Sequence, residues 1–484
     1  MGSLSNPLPP FNVLTDAKPD DTSLPAFMVS TTRGFLPRAD PIVTLPSEFD
    51  PLESILQRMP VKTASGEPGL LAQGKLGDVV LSELPDLTSH IDKYASNLPL
   101  MNALYRDYSF LLSAYLLEPC HLRFIKGEPY GLARDVLPAC IARPIKRCAD
   151  LTNFQPFMEY AGSYALYNYR LTTTPSPGTL PYPYQDLRLI RAFEHGLDPL
   201  SSEAGFVLVH IAMVSHSPLL ISGTVSSLSS ASRRSRHEFN ASLNDILISL
   251  QNINKAMETM WQKSKPGSYT SFRTFIFGIT SQSMFPNGVL YEGIEEYKGE
   301  RQSFRGESGA NDSMIPLMDN FLGVEMPDTP LTEILKDFRQ YRPSNHREFI
   351  EWVGYRQEEV GMKRWALEAE PAGDGAVTGE EVKETKRLWL RLLDQVREFR
   401  WRHWCFAREY ILKQTSHPTA TGGSPIVTWL PNQLGAVLDE MERVYDGDKD
   451  RLGGEMEGVM DLVGRQREML GKEVRRFCEE RGVN

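Results

Sequence analysis

The chain carries nine histidines and five cysteines, and their spacing excludes the commoner uses of both. Cys120, Cys140, Cys148, Cys405 and Cys478 form no C-x-x-C pair, so neither a cysteine zinc site nor a disulfide framework is expected. H-E-x-x-H, G-x-S-x-G, Walker A and strand-led G-x-G-x-x-G patterns are missing as well. Three segments nevertheless hold polar groups in unusual company. In TPLTEILKDFRQYRPSNHREFIEWV, 329–353, Thr329 and Pro330 read as a helix start, Pro343 ends that helix, and Asn345 with Glu348 can cap the next. His346 then lies in a first turn, where the helix dipole favours neutral imidazole, the form a metal needs; a surface or capping histidine fits the same place. In SYTSFRTFIFGITSQSMFPNGVLYEG, 268–293, Arg273 stands among Phe272, Phe275 and Phe277. It can hold a substrate carboxylate in a bidentate pair, or pair with a protein carboxylate. In FRGESGANDSMIPLMDNFLGV, 304–324, small residues precede an apolar helix and permit close approach to a flat ligand. His403, on the apolar stripe of a long helix, is a rival metal ligand or a packed core residue; His216 and His237 read as structural or exposed.

The elements that must position these groups are helical. Leu, Tyr and Phe recur at spacings of three and four over 85–125, and helical character returns over Phe157–Leu171 after a loop-rich 126–150. A Pro-rich crossover follows at 172–184. Phe239, Leu243, Ile246, Leu250, Ile253, Met257 and Met260 trace one face, as do Leu388, Leu392, Val396, Phe399, His403, Phe406 and Tyr410. The Ser/Arg stretch 226–236 reads as a solvated loop or frayed helix start, 368–381 as an acidic linker, and 416–425 as a flexible segment before two final helices. Residues 1–50, rich in Pro, Asp, Ser and Thr, read as an extended arm. Alternating strands are scarce, so the fold class is mostly α.

Composition narrows the partners. With 62 acidic against 52 basic residues, a general affinity for nucleic-acid backbones is disfavoured. The first residues lack a basic and then apolar leader pattern, and the best apolar run, 206–221, is broken by His210, Ser215, His216, Ser217 and Pro218. A cytoplasmic protein with no membrane partner is expected.

FRTFIFGITSQSMFPNGVLYEG, RGESGANDSMIPLMDNFLG, YRPSNHREFIEWV and TATGGSPIVTWLPNQL occur in order. Together they resemble the signature segments of the indoleamine 2,3-dioxygenases, the fungal members above all, and the resemblance runs from about residue 90 to 480. It implies haem b as cofactor, tryptophan or a related indoleamine and O2 as substrates, an electron donor that keeps the haem ferrous, and a monomer. The product implied is N-formyl-kynurenine, at the head of tryptophan catabolism toward NAD. It implies His346 as the proximal haem ligand and Ser308, Gly309 and Ala310 lying over the haem; a proximal imidazole usually donates its second N–H to a partner, for which Asp319 is a candidate. Arg273, fifteen residues before Gly288, is implied as the substrate-carboxylate ligand. Phe206 packs on the indole, Tyr160 and Ser163 line the distal pocket, and Thr421 belongs to a mobile loop that closes on the substrate.

Two departures stand out. His210 occupies a position that is serine in mammalian members, while the related tryptophan 2,3-dioxygenases have a distal histidine; here His210 can bind the indole N–H. Ser268 and Tyr269 replace paired phenylalanines, which alters the pocket. The resemblance implies a smaller N-terminal domain, 1–195, mainly helical with minor β, and a larger all-helical haem domain, 196–484, with the boundary near 195–203. A haem-binding relative acting on another indole or sensing gas, and a cofactor-free helical interaction protein, remain as alternatives. N-formyl-kynurenine formation separates the first from the enzyme, and a haem absorption band separates the second.

Overall fold

Helix Leu98–Phe124 is buried on every side from Pro99 to Glu118, as an all-round apolar helix must be. Asn97 accepts from Leu100 N at 3.1 Å and starts it. Buried charges inside it are matched: Asp107 accepts from Arg106 Nε at 2.7 Å and Arg191 Nε at 2.9 Å, and Arg191 reaches Glu53 at 3.0 Å. Burial would raise the Asp107 carboxyl, but the two guanidiniums hold it down to about 2. The computed structural model describes residues 10–173, 180–328, 330–368, 379–415, 417, 419–446 and 449–481.

Around this core the chain is mostly helical. Helices Ser217–Ser232 and Arg236–Glu258 pack as a hairpin, helix Gly379–Phe406 packs on the second of them, and Ile426–Asp446 covers that in turn. Strands are short: Val136–Leu137 pairs in parallel with Leu290–Tyr291, and Tyr169–Leu171 antiparallel with Leu187–Leu189.

Several sequence expectations are corrected. The 126–150 connection contains helix Ala139–Thr152, because burial of Ile141, Ile145 and Cys148 outweighs the Pro144 interruption. The 157–171 stretch is a wide π-type turn, Tyr160–Tyr164, followed by a strand. The Ser-rich stretch is largely helix: Ser227 and Ser230 are buried, Ser230 Oγ donates to Ser226 O at 2.8 Å, and the buried Arg236 lies 4.0 Å from the Trp365 ring centroid. Hydroxyls that bond the preceding turn behave as small core residues. Thr329, residues 174–179 of the crossover and 369–378 of the acidic linker lie outside the described residues.

The arm is irregular but bound into the fold. Arg38, 2% exposed, donates to the carbonyls of Ala17, Lys18, Asp21, Leu24 and Pro25. That wrap fixes the buried Phe27, Val29, Phe35 and Leu36. Stretch Ser202–Ser232 is apolar and long enough to cross a membrane by composition, yet 67% of its most apolar window is buried within the fold, and it is broken into two helices at Ser215–His216.

Removing the Asp107 charge leaves two buried guanidiniums short of a counter-charge. Asp107→Asn is expected to cost about 3 kcal/mol, read as a lower urea midpoint at pH 7. A midpoint equal to wild type would contradict the network's role.

Candidate active site

The site is built where four elements converge. Ser201 Oγ accepts from Ala204 N at 3.1 Å and starts helix Ser202–Val214. Its spacing then places Phe206, His210 and Met213 on one face. Gly205 lets that helix approach closely, since a Cβ there would stand 1.9 Å from Lys263 O. Helix Gly379–Phe406 brings Phe399, Arg400 and His403, and a second π-type turn, Ala407–Leu412, widens it immediately afterwards. Segment 307–312 and the start of helix Ile426–Asp446 close the remaining sides.

Between them lie two cavities. Both are bounded by Gly309, Asp312, Phe399, His403 and Trp429. The first is walled mainly by apolar side chains and carries Phe206, His210, Tyr269, Glu307, Ser308 and Thr421. The second carries Ala310, Asp319, Arg339, Arg342, Arg347 and Arg400.

The imidazoles are kept neutral by burial. Desolvation pushes His403 down to about 4, with His210 and Arg400 adding to it, so His403 and His210 lie within electrostatic reach of each other. His210 is lowered for the same reason. Its Nδ1 donates to Phe206 O at 2.8 Å, which leaves Nε2 as an acceptor. That atom lies 3.9 Å from where a Cβ on Gly309 would be.

The sequence-derived residues divide into those on the wall and those behind it. Phe206, His210, Ser308, Gly309, Ala310 and Thr421 line the cavities. Tyr160 sits one layer back, its ring edge-on to His210 at 5.6 Å. Ser163 is turned inward, exchanging hydrogen bonds with the Glu159 backbone at 2.8 and 2.9 Å. Arg273 lies behind Tyr269, whose phenol it meets. It donates from Nη2 to Thr419 O at 2.9 Å, while Nε and Nη1 have no partner among the described residues.

His346 lines neither cavity. It is fully buried between Phe27 and Phe35, at ring distances of 5.7 and 4.9 Å, and shares a 3.2 Å hydrogen bond from Nδ1 with Ser313 Oγ. Desolvation, with Arg342 adding to it, pushes it down to about 3. Asn345 does not cap its own helix; its Oδ1 accepts from Val29 N at 2.8 Å and fastens the arm over His346. Asp319 is not the partner of His346 either: it accepts from Arg400 Nη2 at 2.6 Å. The histidine that faces the cavities is the rival, His403.

These residues fit a haem. His403 has no hydrogen-bond partner among the described residues, and Arg400, one helical turn before it, keeps Nε and Nη1 buried and unpartnered beside the second cavity. Such donors suit a carboxylate at the rim of a flat group, with Ser308–Gly309–Ala310 as a low floor.

Thr421 is part of a defined turn. Ala420 N donates to Ser424 O at 2.9 Å, and Thr421 Oγ1 donates to Glu307 O at 2.8 Å. The expected flexible segment is thus docked on the wall where it is described. Sequence reasoning missed Glu307, Phe399, Arg400 and Trp429. Only the helical spacing of Phe399, Arg400 and His403 pointed toward them.

A family model described as indoleamine 2,3-dioxygenase matches residues 23–448. An indoleamine 2,3-dioxygenase of Aspergillus nanangensis is 26% identical over 359 residues, 73% of this chain and 80% of the relative. A 6-hydroxytryptophan 2,3-dioxygenase of Fusarium equiseti is 25% identical over 354 residues, 72% and 78% of the two chains. Indoleamine 2,3-dioxygenase 2 of Mus musculus is 24% identical over 332 residues, 68% and 73%.

The buried imidazole of His403 sets a pH dependence. Its ordinary value is 6.5 and its folded value about 4, so between the two the unfolded chain takes up a proton that the folded chain refuses. The His403 contribution is intact above about pH 6.5 and is lost as the pH falls toward 4. In cofactor-free protein, His403→Phe is expected to gain on wild type by up to about 1.4 kcal/mol per pH unit across that window. Paired denaturation curves read this; a pH-independent difference would contradict it.

Proposed function

The chain belongs to the indoleamine 2,3-dioxygenase family, dioxygenases acting on indoles, and from that premise we propose a haem enzyme for an indole amino acid. Its reaction adds both atoms of O2 across the indole C2–C3 bond, giving N-formyl-kynurenine when tryptophan is the substrate. The observation that carries this reading is the pair His403 and His210 on the wall of one apolar-lined cavity. His403, not His346, would hold the iron, because it alone of the two reaches the cavity without a hydrogen-bond partner. Arg400, steadied by Asp319, would meet a haem carboxylate. When bound, haem supplies the redox-active iron at which O2 is activated.

The remaining work belongs to side chains that bind and exclude. His210 Nε2 accepts the indole N–H and so fixes the ring's orientation, while the Nδ1 bond to Phe206 O holds the tautomer. Phe206, Met213 and Phe399 supply apolar wall and keep water out. Arg273, with two free donors, takes the substrate carboxylate once Tyr269 gives way or relays it. Thr421 closes the site through its bond to Glu307 O. These are positioning effects, and the reaction asks for no dedicated acid–base residue.

His403→Ala is expected to abolish the Soret band of purified protein, while His346→Ala keeps it at reduced stability. The reverse pattern would return the iron to His346. Wild-type protein under reducing conditions should form N-formyl-kynurenine from L-tryptophan. Parallel assays with 6-hydroxytryptophan determine whether a ring hydroxyl is preferred; haem-loaded protein with no product from either would overturn the enzyme reading.

A further inference from the structure

Glu307 is 3% exposed, lines the first cavity beside Tyr269 and Thr421, and its carboxyl has no hydrogen-bond or ion-pair partner among the described residues. Its backbone is fixed: its carbonyl accepts from Thr421 Oγ1 at 2.8 Å, and Gly306 before it is pressed against Gly278 with no room for a Cβ on either. The other cavity carboxyl, Asp312, is already committed, accepting from Met314 N and Ile315 N at 3.1 Å each. Glu307 alone of the two is free to meet a ligand.

Arg273 is its complement. It is fully buried, has two unpartnered donors, and forms no ion pair among the described residues. Arg273 is bonded to Thr419 O and Glu307 to the Thr421 hydroxyl, so both lean on one short segment. Tyr269 is within electrostatic reach of both, its phenol raised by burial, opposed by Arg273 and reinforced by Glu307. A cation and a carboxyl, each short of partners among the described residues and each beside Tyr269, suit a molecule carrying a carboxylate and an ammonium on the same carbon. A zwitterion enters a dry cavity only if both charges are met there.

We propose that Glu307 is the counter-ion for the α-ammonium group of the substrate, with Arg273 taking the α-carboxylate, so that the site selects indole amino acids over indole amines and indole acids. This rests on the reading of the cavity as an indole amino-acid site. Burial pushes the Glu307 carboxyl up to about 8, so it waits largely protonated and gives its proton to solvent as the ammonium arrives. The titratable groups around it do not supply that proton: the Tyr160, Tyr164 and Tyr269 phenols are raised, and His210 and His403 are lowered, all by desolvation first. Near neutral pH, binding therefore releases a proton.

The test is calorimetric titration of haem-loaded wild type and E307Q with L-tryptophan, tryptamine and indole-3-propionate, in two buffers of different ionisation enthalpy. E307Q is expected to weaken L-tryptophan and tryptamine about tenfold or more. It should leave indole-3-propionate within about twofold and abolish the proton release. E307D should retain proton release with intermediate affinity, and it decides the question if E307Q does not fold. Equal losses for all three ligands would make Glu307 structural and overturn the proposal. Wild type that binds none of the indoles overturns the parent reading and this one with it, whereas wild type that binds all three alike overturns only this one.

Discussion

Desolvation of the cavity between helices Ser202–Val214 and Gly379–Phe406 governs every polar group that faces it. Imidazoles there are driven to the neutral form, which makes His403 a competent ligand and His210 a competent acceptor without any acid–base partner. Charges are tolerated only when matched. The structural ones are: Asp107 lies between Arg106 and Arg191, Arg38 is wrapped in five carbonyls, and Arg397 meets Asp394 at 2.7 Å. In and beside the cavities, three charged groups are left short of partners among the described residues. Arg400 keeps two donors, Arg273 keeps two, and Glu307 keeps a bare carboxyl. These three lie in or beside the two cavities, where a ligand can complete them.

Much of the frame was legible in the sequence because it rests on local periodicity. The stripe Phe239 to Met257 and the stripe Leu388 to Phe399 are buried as their spacing requires. Phe206, His210, Ser308, Gly309, Ala310 and Thr421 could be named from short motifs and do line the cavities. What periodicity cannot say is which of two helical histidines faces the cavity. His346 and His403 both sit on apolar faces, and the choice is made by an irregular arm some 300 residues away in sequence from His346, whose Phe27 and Phe35 cover that ring. Nothing within ten residues of His346 carries that information. The Ser-rich helix and the two π-type turns were hidden for a related reason. Ser230 buries its hydroxyl because the preceding turn accepts its proton, Ser227 Oγ is buried without a partner among the described residues, and a π-type turn has no compositional signature.

The irregular segments therefore do as much positioning as the helices. The arm seals His346 away from the cavity, with Asn345 accepting from Val29 N as the fastening. Around the Thr419–Pro425 turn, Gln282 Nε2 donates to Ala420 O at 2.7 Å and Arg305 Nη1 to Gly422 O at 3.0 Å. Arg273 and Glu307, the two incomplete charges, are bonded to the same turn. Any movement of that turn is a movement of both anchors together. A ligand that satisfies only one of them leaves the other buried and unmatched, so closure over a half-matched ligand is opposed by the same desolvation that keeps the histidines neutral. Discrimination by charge and exclusion of water are then one physical event, and the turn that looked like a separate lid in the sequence is the element that couples them.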